Sequence, residues 1–189
     1  MEHRQIISTK AIVMTALMAA LTMVGSAMRI VLPLSIGGTT AFHLGNIFCA
    51  LSGILLGPWL GGVAAGLGSA LYDILSMYAE ECWITFLTKG AYGLAVGLVI
   101  RWGKRQDWNY TKAALATTAG ALTYAALYLA KSYFDNGLFK EGLVPQAAAL
   151  TLVGKLPATI FNAVVAIAAA PILAAAIRTA LKKNHLQLK

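Results

Sequence analysis

Four ionisable side chains lie inside long apolar runs: Asp73, Lys89, Lys131 and Lys155. Arg29 stands at the end of another. Each charge in such a setting costs roughly 2.5–3.5 kcal/mol even on the mildest insertion scale, so it marks a function or a specific partner. Residues three, four and seven apart share a helix face. That spacing extends each charge into a polar stripe: Ser69, Asp73 and Ser76; Thr85, Lys89 and Tyr92; Tyr124, Tyr128 and Lys131; Lys155, Thr159 and Asn162. His43 and Asn46 open a further apolar run. Polar stripes at one depth on several helices describe a shared cavity. Aromatic rings beside cations suit a flat, polar small molecule, and the cations suit a carboxylate or phosphate on it. Packing offers other roles: Asp73 can pair with Lys89 across two helices, Lys131 can snorkel to water, and His43 can be a plain interfacial residue. Lys155, about two turns into its helix and beside Pro157, is the hardest to explain by packing.

What is absent narrows the chemistry. A Walker A loop needs G-x-x-x-x-G-K-[ST], and Gly154-Lys155-Leu156 lacks both the Ser/Thr and the upstream glycine. No H-E-x-x-H, G-x-S-x-G or D-x-x-x-D pattern occurs, so a membrane-embedded lipid enzyme has little support. Cys49 and Cys82 form no C-x-x-C and sit in no His/Cys cluster. No catalytic residue, metal site or cofactor is expected. The alternative to a binding protein is a small structural or channel-like membrane protein whose charges are all packing pairs.

The elements that must position these residues are transmembrane helices. The 189-residue chain is 59% hydrophobic and 12% charged, whereas a soluble domain is nearer half apolar and a quarter charged. A span needs roughly 20 apolar residues. The runs predict spans over Ile6–Ile30, His43–Leu56, Trp59–Met77, Trp83–Ile100, 113–134 and 146–181, the last interrupted by Pro157 and Pro171. Val31–Phe42, Tyr78–Cys82, Arg101–Lys112 and Asp135–Pro145 read as loops. The run Ala11–Ala27 is long for a signal-peptide core and reads as a retained first helix. The formal charge of +8 is concentrated between spans: the N-terminal segment, the Arg101–Lys112 loop and the C-terminal tail hold ten of the fifteen basic residues. That asymmetry predicts cytoplasmic termini rather than nucleic-acid binding. All four tryptophans, Trp59, Trp83, Trp102 and Trp108, fall at or near span boundaries. The pairs Gly57/Gly61, Gly62/Gly66 and Gly93/Gly97 have the spacing that lets helices approach closely.

One stretch carries a family pattern. It begins at Phe42-His43-Leu44-Gly45-Asn46 and continues through Leu55-Leu56-Gly57-Pro58 and Gly61-Gly62 to Gly66-Leu67-Gly68-Ser69-Ala70-Leu71-Tyr72-Asp73. Leu87-Thr88-Lys89-Gly90 follows, with Gly93 and Gly97 beyond it. It resembles the substrate-binding S components of energy-coupling factor (ECF) vitamin transporters, in their riboflavin-transporter-like subfamily. The resemblance covers essentially the whole chain, the second half mainly in hydropathy. It implies an all-α membrane protein, one six-helix domain over residues 1–189, multi-pass in a bacterial cell membrane. Such a subunit is not an enzyme. It captures a riboflavin-, pyridoxine-, thiamine-precursor- or folate-like molecule from outside. It then docks on a transmembrane coupling protein driven by two ATPases, as part of an ECF-type ABC importer. In the family an Ala-x-x-x-Ala face on the first helix makes that contact, matched here by Ala16 and Ala20. The segment after the first helix closes over the substrate, matched here around Gly37, Gly38, Thr39 and Thr40. With the polar stripes, the expected substrate contacts are Thr39, Thr40, His43, Asn46, Asp73, Lys89, Tyr92, Tyr128, Lys155 and Asn162.

Overall fold

The structure, a computed structural model, describes residues 8–34, 39–102 and 109–183. Helix α1 (Thr9–Ala27) begins where the Ser8 hydroxyl accepts the Ala11 N–H, a side-chain cap on an otherwise unpaired donor. It ends short of the expected Ile30. The chain leaves the helix as strand β1 (Arg29–Pro33), which pairs antiparallel with β2 (Thr39–His43). The loop expected over Val31–Phe42 is therefore largely a hairpin, with Arg29 opposite His43 and Pro33 opposite Thr39. Gly37 and Gly38 lie outside the described residues.

Helix α2 (Gly45–Leu56) follows, then α3 (Pro58–Leu75), a 3₁₀ turn (Ala79–Glu81), α4 (Cys82–Arg101) and α5 (Tyr110–Lys131). A π-helical segment, Ser132–Lys140, replaces most of the loop expected from Asp135. Helix α6 (Pro145–Lys183) runs through both Pro157 and Pro171. Four helical stretches are long and apolar enough to cross a membrane: Thr9–Ala27, Ala79–Arg101, Tyr110–Lys140 and Pro145–Lys183. Helix α2, at 12 residues, is shorter. The protein is thus a predominantly helical membrane protein with one β-hairpin added to the expected helices.

Helix α2 is the hub. Every one of its residues except Phe48 is buried, and it touches α1, α3, α4, α5 and α6. Its turn into α3 is made by Gly57, whose φ of +82° disfavours any side chain, followed by Pro58 at the first helical position. The Arg101 guanidinium covers this turn and donates to the Leu56 carbonyl at 3.1 Å.

Glycines join α2, α3 and α4 backbone to backbone. A Cβ on Gly93 would stand 2.6 Å from the Gly61 carbonyl oxygen, and one on Gly61 would stand 2.6 Å from that of Ser52. The glycine pairs are therefore internal packing contacts. Large apolar side chains such as Ile12, Leu17, Leu122 and Ile160 point outward instead, as contact with lipid tails requires.

Candidate ligand-binding site

The helices alternate in direction, so the hairpin, the 3₁₀ turn and the π-helical segment gather at one end of the bundle. They enclose a cavity of about 350 Å³. Helix α3 contributes Asp73, α4 Thr85, Thr88 and Lys89, α5 Tyr124 and Tyr128, and α6 Lys155, Thr159 and Asn162. The hairpin contributes Arg29, Thr39, Thr40 and His43.

The hairpin is fastened to α6 by one carboxamide. Asn162 Oδ1 accepts the His43 N–H at 3.0 Å, and Asn162 Nδ2 donates to the Ala41 carbonyl at 2.9 Å. The side chain thus offers β2 the donor and acceptor that a neighbouring strand would. Asn162 lies 17 residues beyond Pro145, about 26 Å along the helix axis. Strand β2 lines the cavity, whereas Ile30 and Val31 of β1 are exposed. Phe42 packs edge-on against Phe161, ring centroids 4.7 Å apart, and secures the same junction.

Below the hairpin, three tyrosines form a ladder. Tyr92 and Tyr124 lie 6.0 Å apart at 19°, and Tyr124 and Tyr128 lie 5.7 Å apart at 21°. Lys89 Nζ sits 3.8 Å from the Tyr124 ring centroid and donates to Asn46 Oδ1. Asp73 does not form an ion pair with Lys89 and has the Thr85 hydroxyl beside it. Lys155, 2% exposed, donates to the Ser132 hydroxyl at 3.3 Å. Lys131 pairs with Glu81, and its half-buried side chain turns to that acid rather than snorkelling to water. Lys140 bridges Glu81 at 3.2 Å and Asp135 at 3.1 Å, so the π-helical segment is tied by charge to the turn before α4.

Such a cavity can hold a small molecule with a planar body and polar ends. Among the described residues no group of three or more His, Cys, Asp and Glu side chains is placed to hold a metal ion. The pattern of the family described as "ECF-type riboflavin transporter, S component" matches residues 6–179. The chain belongs to that family. It is therefore a subunit of a transporter of vitamin-type substrates and not an enzyme. A Pyrococcus woesei protein, named only as an uncharacterized protein in gap 3'region, is 32% identical over 118 residues, 62% of this chain and 74% of that one.

In this S component the expected substrate contacts fall into two groups. Thr39, Thr40, His43, Asp73, Lys89, Tyr128, Lys155 and Asn162 line the cavity. Asn46 and Tyr92 stand behind its wall, 2% and 0% exposed; Asn46 positions Lys89, and Tyr92 ends the tyrosine ladder. Asn162 faces the cavity with both polar atoms engaged by the hairpin. Ala16 and Ala20 are both exposed on α1. Arg29, noted from sequence as a charge but not among the expected contacts, also lines the cavity, as do Thr88 and Glu81. Arg29 looked like a helix-end cation because nothing in its neighbourhood announced a strand. Tyr124 and Thr159 were already in the polar stripes, and the 3.6-residue period alone could have placed them.

Proposed function

We propose that this chain is the capture subunit of an ECF-type ABC importer, binding a vitamin or related micronutrient with a flat ring in the cavity beneath the hairpin. The observation that carries the reading is the cavity itself: a polar chamber whose charged groups rise from otherwise apolar membrane helices. Asp73, Lys89, Tyr128 and Lys155, with Thr39, Thr40 and His43 above them, are the proposed ligand contacts. The hairpin is the proposed lid, with Asn162 as its anchor point.

Both ends of the described chain lie away from the cavity. Lys10, Arg101, Lys112, Lys182 and Lys183 belong to that far end, which supports a cytoplasmic assignment for it in a bacterial cell membrane. The cavity then opens outward. Substrate leaves when the subunit docks on a transmembrane coupling protein and its two ATPases, with the exposed Ala16 and Ala20 face of α1 as the proposed contact. The six helices form one domain that spans the membrane six times.

The direct test is mass spectrometry of small molecules retained by the protein purified in mild detergent. A single vitamin-like compound at near-stoichiometric amount is the expected result. A protein that retains nothing and shows no thermal stabilisation across a vitamin panel would overturn the reading. Asp73→Asn and Lys155→Met should each weaken binding of the retained compound by about tenfold or more, the usual cost of losing a hydrogen bond to a charged group. Both variants should remain monodisperse. Unchanged affinity in both removes these residues from the site.

A further inference from the structure

The cations that line the cavity are not all answered by acids. Lys131 and Lys140 are neutralised by Glu81 and Asp135. Among the described residues, Arg29, Lys89 and Lys155 have no carboxylate within ion-pair distance, Lys155 donating to the Ser132 hydroxyl of the π-helical segment. Neutral groups hold them instead. The two terminal nitrogens of Arg29 donate to the Tyr72 hydroxyl at 3.2 Å and the Tyr78 hydroxyl at 3.1 Å. Its guanidinium carbon lies 4.8 Å from the Tyr78 ring centroid and 5.5 Å from that of Tyr72. The buried Arg29 Nε has no hydrogen-bond partner. Lys89 is held in the same manner, by the Asn46 carbonyl oxygen and the face of Tyr124.

Neutral partners of this kind fix the position of a charge without cancelling it. The hairpin register sets Arg29 directly opposite His43, and Arg29, His43 and Lys89 line the same cavity. Lys89 is buried and Arg29 half-buried, and charges held so without a counter-ion carry a desolvation cost that an incoming oxyanion offsets. Guanidinium and ammonium groups are also the side chains best suited to carboxylate and phosphate.

We propose that the ligand of this cavity carries an oxyanion, a carboxylate or a phosphate, held jointly by Arg29 and Lys89 under the hairpin, with its ring against the Tyr124–Tyr128 ladder. The inference rests on the cavity being the capture site, and it separates the ligand from riboflavin, which is neutral. It is tested on the full chain in detergent. Thermal stability is compared in sodium phosphate, sodium formate and sodium chloride at equal ionic strength. Affinities are measured for two matched pairs, riboflavin 5′-phosphate with riboflavin and nicotinate with nicotinamide.

Phosphate or formate should stabilise the protein beyond chloride, and which of them does so tells phosphate from carboxylate. The anionic member of the pair that binds should bind about tenfold or more tightly than its neutral partner. Arg29→Gln should erase the preference and Arg29→Lys should keep part of it. Lys89→Gln is the second neutral variant should Arg29→Gln not fold. Equal stability in all three salts, or an undiminished preference in a folded neutral variant, overturns the oxyanion. If the purified protein retains a neutral vitamin and ignores the anions, the oxyanion falls and the capture function stands. If it retains nothing and responds to no vitamin, the capture function falls as well.

Discussion

Lys89→Met is expected to abolish ligand capture, lowering affinity by about a hundredfold or more, while the bundle stays folded. Truncating a buried, hydrogen-bonded charge at a binding surface commonly costs about 2–5 kcal/mol, because the opposing charge is left unpaired. The effect on stability is the balance of two smaller quantities. Replacing a buried charge by an apolar side chain of similar volume is often neutral or stabilising, by about 1–4 kcal/mol. Against that, Asn46 Oδ1 loses the Lys89 ammonium as donor, and an unsatisfied buried acceptor costs about 1–3 kcal/mol. The melting temperature should therefore stay within a few degrees of the parent protein. Calorimetric titration with the retained compound, beside a thermal melt, reads both effects. Intact affinity with a large fall in melting temperature would make Lys89 a structural strut and not a ligand contact.

Two alanine substitutions one turn apart on α4 should diverge sharply. At Gly93 a methyl group would meet the Gly61 carbonyl oxygen at 2.6 Å and Ala65 Cβ at 3.0 Å. Both are held by the main chain of α3, so α3 and α4 must separate. Overpacking of this kind typically costs about 1–3 kcal/mol and more where backbone must move. At Gly90 the same methyl group would meet only the Gly62 carbonyl oxygen, at 3.5 Å, an ordinary contact. There, alanine should be neutral or gain up to about 1 kcal/mol from the chain entropy that glycine gives up on folding. Fluorescence-detected size exclusion after a temperature ramp separates the outcomes: Gly93→Ala should lose its monodisperse peak many degrees below Gly90→Ala. Similar behaviour in the two variants would show that the seam can yield.

Most of the helical frame was legible because its signal is local. Apolar runs bounded by Gly57-Pro58, by Glu80-Glu81 and by the cluster after Arg101 set the ends of α2, α3 and α4 to within about two residues. The polar stripes converge on one cavity because a 3.6-residue period is all that is needed to place them. The hairpin was not legible. Arg29–Pro33 has no clean alternation of polar and apolar residues, and its partner strand is only five residues long. The group that stabilises the free edge of β2 is Asn162, more than a hundred positions away. The π-helical segment was hidden for a related reason. Asp135, Asn136, Gly137 and Lys140 have the composition of a loop, and their order comes from Glu81 through Lys140. Lys131 fitted a snorkelling role because its acid, Glu81, belongs to a turn 50 residues earlier. Local periodicity finds which residues share a face; it does not find partners chosen by the tertiary fold.

The brevity of α2 has an electrical consequence. Twelve residues give a helix about 18 Å long, roughly 12 Å less than the hydrocarbon core of a bilayer. In the proposed topology the hairpin and the polar cavity occupy the difference. In a polarised membrane the voltage falls mainly across the dry, low-dielectric layer that remains, the α2 hub and the glycine seam beneath it. A charged molecule reaching Lys89 from the hairpin side therefore crosses little of that voltage and exchanges little electrical work with it, out of the roughly 2.3 kcal/mol per charge available for every 100 mV. On the proposed capture role, binding is then almost indifferent to membrane potential, and the work against the field is left to the release step that the proposal assigns to docking.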